Sequence, residues 1–382
     1  VAAEMEILPP RITLSSTAAR QRLIVQDVVE GRYQGQVTGQ LELVSSDPAV
    51  ARVEEGFVIP VKNGAAVITA KVGGRQATAE VIVTGQEDLF QWSFRNHVES
   101  VLSKSGCNSG ACHGARAGQN GFRLTLFGFD LQADYSYLTR QARGRRVVLS
   151  DPGRSLILTK PTGAIPHKGG VRLEVHGPEY QVLAEWIAAG TPGPSDQDAV
   201  IERIEVLPAY SSQKPGTRQQ LVVQAYFDDG HVEDVTRWAK YTTVNRSVAT
   251  VGRHGEVEVV GPGEGAIKVW YLNLNELAFL TVPYNNQLDP GLFVKEKRNN
   301  FIDEHVLGKL QALNIPPSPR ANDATFIRRV YLDATGMIPS SDQVRAFLDD
   351  ARPSEEKRVA LVDELLTRPE YVDYWAYKWS DL

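Results

Sequence analysis

Cysteine and methionine are almost missing from this chain of 382 residues, which has two of each. Two cysteines cannot build the disulfide framework of a small secreted scaffold. No stretch approaches the roughly 18 consecutive apolar residues of a membrane-spanning helix, so no membrane span is expected. Neither sign of charge dominates: 41 basic residues stand against 46 acidic ones, a net charge of −5. That balance gives no electrostatic ground for a nucleic acid or an anionic membrane as partner. No signal-peptide pattern is visible, and Val1 in place of Met reads as a processed or trimmed start. Trp379-Ser380-Asp381-Leu382 stops inside a helical pattern without a cap and reads as an artificial end.

What is present is an ordinary globular composition, 42% apolar and 23% charged. The length predicts two to four domains. An internal repeat organises them. Ala19-Arg20-Gln21-Arg22-Leu23-Ile24-Val25-Gln26 returns as Thr217-Arg218-Gln219-Gln220-Leu221-Val222-Val223-Gln224, a shift of 198 from position 19 to position 217. Ser46 to Val53 answers Val244 to Val251 at the same shift, and Gly64-Ala65-Ala66-Val67-Ile68 answers Glu264 to Lys268 with a slip of one or two. Short alternating runs, such as Val222 to Tyr226, are split by turns such as Asp228-Asp229-Gly230. This patterning predicts an antiparallel β-sandwich in each copy.

The intervening stretch has helical spacing. Phe94, Val98, Val101 and Leu102 share one face, and Pro178 to Gly190 reads as a helix with Pro at its start and Gly at its stop. From about position 290 the period is again helical. The expected stripes are Phe301, Val306, Leu310 and Leu313; Phe326, Val330 and Leu332; Val344, Phe347 and Leu348; and Leu361, Leu365 and Leu366. They are broken at Pro316-Pro317 and Ile338-Pro339.

Both cysteines fall in Cys107-Asn108-Ser109-Gly110-Ala111-Cys112-His113. Two thiols followed at once by an imidazole are the groups that attach a c-type haem: the sulfurs add to the vinyls and the imidazole binds iron. The common spacing is C-x-x-C-H; four residues intervene here, and Gly110 between Ser109 and Ala111 would let the loop bulge. A structural disulfide, a zinc site using both cysteines and His113, and plain buried thiols are the competing readings.

The repeated modules resemble bacterial Ig-like domains of surface and secreted proteins. The first helix, the attachment loop and the closing helix resemble cytochrome c. Phe122 to Asp130, Ala142 to Arg146, Asp151 to Pro161, Pro166-His167-Lys168-Gly169-Gly170, and then Phe326 to Pro339 and Tyr374 to Trp379, resemble planctomycete-type secreted multidomain proteins. The resemblance implies a multidomain fold: all-β Ig-like sandwiches flanking an all-α cytochrome c-like domain, followed by an α-helical domain. The boundaries are 1–86, 87–197, 198–286 and 287–382, the last cut short. It implies a periplasmic, secreted or cell-surface protein carrying one covalent haem c on Cys107, Cys112 and His113. An unidentified protein is its redox partner, and the Ig-like domains contact the cell surface or a polysaccharide.

No methionine lies between Met5 and Met337, so a distal Met from within the module is excluded. His167 is the expected distal ligand, with His176 or an open, water-bound position as alternatives. His97 reads as a surface or supporting residue, and His231, His254 and His305 as ordinary surface positions. Arg123 and Arg146 are the chosen partners for haem propionates, from a set that also includes Arg143, Arg145 and Arg154. Phe122, Phe127, Phe129, Tyr135, Tyr137 and Trp186 read mostly as core. Asp333 and Asp373 receive no role. The expected function is low-potential electron transfer. The alternatives are a five-coordinate haem protein for ligand binding or peroxidase-like catalysis, and a non-redox surface adhesion or scaffold protein with a Cys107–Cys112 disulfide.

Overall fold

The computed structural model describes residues 4–289 and 291–381. Val1 and Leu382, on which the readings of the two chain ends turn, lie outside the described residues. The chain divides into two compact units, 1–290 with 297–315, and 291–296 with 316–382.

In the first unit the repeat is realised strand for strand. The first copy contains β1 (Glu4–Leu8), β2 (Arg11–Leu14), β3 (Gln21–Arg22), β4 (Ile24–Val29), β5 (Arg32–Gln36), β6 (Glu42–Ser45), β7 (Ala51–Glu54), β8 (Phe57–Pro60), β9 (Gly64–Val72) and β10 (Arg75–Val83). The second contains β11 (Ile201–Leu207), β12 (Tyr210–Ser212), β13 (Arg218–Gln220), β14 (Val222–Phe227), β15 (Val232–Asp234), β16 (Lys240–Thr243), β17 (Ala249–Val251), β18 (Glu256–Val259), β19 (Gly263–Tyr271) and β20 (Leu274–Val282). The sheets β1-β4-β5, β2-β10-β9-β6 and β3-β8-β7 have the same order as β11-β14-β15, β12-β20-β19-β16 and β13-β18-β17. Registers agree too: Gly64 faces Val83 where Gly263 faces Val282. Alternation explains the layers. Ala66, Ile68 and Ala70 of β9 are buried, as are Ile267, Val269 and Tyr271 of β19, alternating with the more exposed Val67, Thr69, Lys268 and Trp270.

Between the copies lie α1 (Glu99–Lys104), extended backward by a π turn over Phe94–Val98, then α2 (Leu131–Thr139), α3 (Leu156–Thr159) and α4 (Pro178–Ala188). The closing helix matches the expectation from Pro178 and Gly190, whose φ of +86° ends it. The expected all-α cytochrome c-like domain is not present as such. Its helices, of four to eleven residues, pack on one another but do not close a core of their own. Instead Phe94, Val98, Leu158, Leu183 and Trp186 belong to one continuous core with Val223, Trp238, Val269 and Tyr271 of the second sandwich. Tyr271 donates its hydroxyl to the Asn96 carbonyl at 2.8 Å, and Asn96 donates its amide to Ala199 O at 2.9 Å. The architecture is two β-sandwich copies, the second enlarged by the helical insertion, and a helical C-terminal region. The first copy keeps its own core around Ile7, Ile12, Val58, Ile68 and Val81.

The two copies meet through equivalent surfaces. Leu8 and Ile24 pack with Val222 and Leu207, their own counterparts. Asp234 accepts the backbone N–H of Arg22 at 2.6 Å and the side-chain amide of Gln21 at 3.3 Å. Gln36, which pairs with Gln26 as Asp234 pairs with Gln224, accepts the backbone N–H of Gln220 at 2.7 Å and the amide of Gln219 at 3.5 Å. Each copy therefore offers one side-chain acceptor to the same amide pair of the other. That is the signature of a two-fold, isologous contact made within one chain.

The first unit also holds α6 (Phe301–Ala312), capped by a reciprocal Asn300–Asp303 box. Its expected stripe is buried only toward the end: Leu313 is buried and Leu310 half-buried, while Phe301 and Val306 face solvent and Leu307, outside the stripe, is buried. The second unit consists of α5 (Leu292–Lys295), α7 (Asp323–Thr335), α8 (Ser341–Asp349), α9 (Ser354–Leu366) and α10 (Pro369–Ser380). Ile327, Tyr331, Phe347, Leu361 and Leu365 form its core. No helix among the described residues is long and apolar enough to cross a membrane.

Candidate functional site

The cysteine loop leaves α1 directly. Ser105 and Gly106 end the helix, and the loop closes on itself: His113 N–H donates to Cys107 O at 2.9 Å, and Gly114 N–H donates to Ser109 O at 2.9 Å. Asn108 fixes the turn from beneath. Its side-chain amide donates to Glu99 Oε1 and to Ser103 Oγ, each at 2.7 Å. Glu99 is buried beside Asp134, and the loss of solvent pushes its carboxyl up to about 8. Asp134 accepts the Thr125 N–H and hydroxyl. This pair of buried acids supports the loop and was not singled out from the sequence, because nothing in the spacing of Glu99 and Asp134 brings them together.

Cys107 and Cys112 are separate thiols, not a disulfide. Burial, reinforced by the neighbouring Cys112, pushes the Cys107 thiol up to about 12, so it is protonated at neutral pH. His113 lies against the Phe122 ring, and its Nδ1 is 3.0 Å from Phe122 O; a carbonyl can only accept, so Nδ1 carries the proton. Burial pushes this imidazole below its ordinary value, with His167, Arg146 and Lys160 acting in the same direction. His167 Nδ1 is likewise 2.8 Å from Gly170 O. The two rings are 6.4 Å apart and within 9° of parallel. Cys107, Cys112, His113 and His167 thus occupy one neighbourhood. His176 instead stacks edgewise on Tyr180.

The two arginines are committed elsewhere. Arg146 is buried, donates to the carbonyls of Tyr137, Gln141 and Gly121, and covers the Phe122 ring. Arg123 lies over the Tyr137 ring and donates to its hydroxyl. Of the aromatic residues expected in the core, Trp186 is fully buried, whereas Phe127 and Phe129 are exposed.

His97 lies inside the fold, and His231 is half-buried. His97 is buried, and its Nε2 lies 3.2 Å from Glu233 Oε2. His231 Nε2 reaches the other oxygen of Glu233 at 3.4 Å, and its Nδ1 meets Asp229 at 2.5 Å. The two imidazoles hold the Glu233 carboxyl far below the usual carboxylate range despite burial, which acts the other way. This network ties the helical insertion to the second sandwich.

Residues 301–382 match a family model described as PSCyt2, a protein of unknown function (DUF1549). No curated protein matches the chain. Among solved structures, domains 5–6 of the S-layer protein SbsC are similar over 74% of this chain and 100% of that one, with 9% identity and a TM-score of 0.28. A longer SbsC structure is similar over 75% of this chain and 28% of that one, with 11% identity and a TM-score of 0.20. BT4661, a SusE-like surface located polysaccharide binding protein from Bacteroides thetaiotaomicron, is similar over 74% of this chain and 34% of that one, with 7% identity and a TM-score of 0.15. Scores this low establish no common fold.

These findings correct the cytochrome reading. The family match covers only the C-terminal helical part of the resemblance, and no comparison supports a cytochrome c module or a planctomycete source. Two thiols and two imidazoles are the residue types that covalent haem attachment uses. Among the described residues no three His, Cys, Asp or Glu side chains gather to hold a metal ion. With no separate cytochrome domain formed and no cytochrome among the matches, the electron-transfer reading is not carried forward.

Proposed function

We propose that the chain is a structural protein of the cell surface or of a secreted assembly, a rigid tandem of β-sandwiches that contacts polysaccharide through its second copy. The duplication carries this reading, because it allows one sheet face to be compared with itself. On the outward face of β12-β20-β19-β16 stand Tyr210, Phe279, Leu277, Trp270, Lys268 and Lys240. The same positions of β2-β10-β9-β6 hold Arg11, Glu80, Thr78, Lys71, Thr69 and Glu42. The first copy thus builds this face without aromatic rings, although Trp270 of the second also meets Phe127 of the insertion at 5.9 Å. Tyr210 and Phe279 stack at 5.1 Å yet remain open to solvent, and Lys268 lies over the Trp270 ring. Exposed aromatic side chains flanked by polar ones mark a binding face, and their flat apolar rings suit the C–H faces of sugars.

Co-sedimentation with insoluble cell-wall polysaccharide tests the reading. The intact chain is expected in the pellet, and Y210A/F279A in the supernatant. Equal partitioning of the two proteins would overturn the assignment of the face. A redox-responsive visible absorption band, in protein made alongside haem c attachment machinery, would overturn the structural reading.

A further inference from the structure

Two guanidinium groups with no ion pair line a cavity of 40 Å³ where the first sandwich, the helical insertion and the second sandwich meet. The first copy contributes Ser15 and Arg20, the insertion Trp92 and His97, and the second copy Arg237 and Trp238. Arg20 lies 4.4 Å over the Phe57 ring, and Arg237 lies 4.4 Å over the Trp238 ring. Stacking fixes both guanidinium planes but leaves their N–H groups unused. Nε of each is buried and has no hydrogen-bond partner. Both arginines are half-buried, and a buried donor ordinarily has a partner, so two orphaned Nε groups beside a shared cavity point to an acceptor held there.

The carboxylates in the lining do not fill that role. Glu233 is held by His97 and His231. Asp234 accepts from Arg22 N–H, Gln21 and Thr236 N–H. Burial first, and then Arg20, push Arg237 down to about 10, against Asp234, Glu233 and Glu179, which act the other way.

We propose that this cavity binds one small oxyanion, a carboxylate or a tetrahedral sulfate or phosphate group, between Arg20 and Arg237. Its volume exceeds the roughly 10–15 Å³ that a single water occupies, leaving room for a few oxygen atoms. The guanidinium forks supply paired donors to such a group, and the indoles of Trp92 and Trp238 line the cavity beside them. The oxyanion would neutralise the repulsion between the arginines and bridge the first copy to the second.

Calorimetric titration of the full chain with sodium sulfate, sodium phosphate and sodium glucuronate, against sodium chloride at equal ionic strength, tests this and separates an inorganic from a sugar-borne oxyanion. Saturable binding of at least one is expected, weakened at least tenfold in R20Q and in R237Q. R237K, which keeps the charge but not the fork, is expected to fall in between. Absence of saturable heat with all three anions, or unchanged affinity in R20Q and R237Q, would overturn the proposal. Should either variant fail to fold, crystals of the intact chain soaked in selenate decide it. An anomalous peak between Arg20 and Arg237 supports the site, and a peak elsewhere or none refutes it.

Discussion

Replacing Asp234 by alanine attacks the junction of the two copies at its most heavily used acceptor. The change removes the bonds to Arg22 N–H at 2.6 Å, Gln21 Nε2 at 3.3 Å and Thr236 N–H at 2.9 Å. An orphaned buried donor costs about 1–3 kcal/mol, and the Arg22 and Thr236 amides each face that cost. Part is returned, because burial raises the Asp234 carboxyl above its ordinary value and this penalty disappears with the side chain. The net loss is about 2–4 kcal/mol. With an unfolding entropy of about 2.1 cal/mol/K per residue over roughly 300 residues, each kcal/mol lowers Tm by about 1.6 °C. D234A should therefore melt about 3–6 °C below the wild type in scanning calorimetry. Q36A removes the equivalent but neutral acceptor and should lose about half as much. A shift under about 1 °C for D234A, or a larger loss in Q36A, would refute the two-fold junction.

Other outcomes follow from the same geometry. Glu233 is depressed and His231 is raised, mutually, with Asp229 adding to His231. The Glu233 contribution is present above the unfolded value of about 4.5 and lost as pH falls through the folded one. The His231 contribution is full below about 6.5 and lost as pH rises through its higher folded value. Tm should thus decline above about pH 6.5 in the wild type, and H231Q should flatten that limb; an unchanged slope would contradict the network. Glu99→Gln should stabilise at neutral pH, since Glu99 is raised to about 8 and Asn108 Oδ1 lacks a donor that a glutamine amide supplies. The gain is at most about 3 kcal/mol at pH 7 and vanishes below about pH 4.5, as read from urea melts at the two pH values. Gly336→Ala should destabilise the C-terminal helical unit by about 1 kcal/mol or more. Gly336 sits at φ +70° as the cap of α7, and a Cβ would come within 2.5 Å of Tyr374; an unaltered melt would contradict the described cap.

The sequence repeat specified the β architecture because strand register propagates a shift of 198 or 199 residues through every sheet. Its turn chemistry and alternation are local signals, and so are Pro178 and Gly190 around α4. The continuity of the insertion with the second core was not legible, since Phe94, Val98 and Trp186 show the same helical spacing whether they pack together or against a sheet. His97 and Glu233 are 136 residues apart, and only the docking of the insertion buries the imidazole. The cysteine loop illustrates the converse. Its residue types pointed to haem attachment, but residue types do not reveal how the surrounding helices pack, and no separate cytochrome domain forms around the loop. Arg146 reads in the sequence as a partner for a haem propionate, because sequence does not reveal the carbonyls of Tyr137, Gln141 and Gly121 that surround it.

Hydrogen exchange at two backbone amides tests the central claim most directly, that the copies are locked as an internal pseudo-dimer. Arg22 N–H and Gln220 N–H cross the junction to Asp234 and Gln36. Both are expected to exchange far more slowly than free-peptide rates, opening together with the strands that flank them. Exchange of either amide at free-peptide rates, while Val58 and Val257 in the adjoining sheets stay protected, would show that the copies are merely tethered.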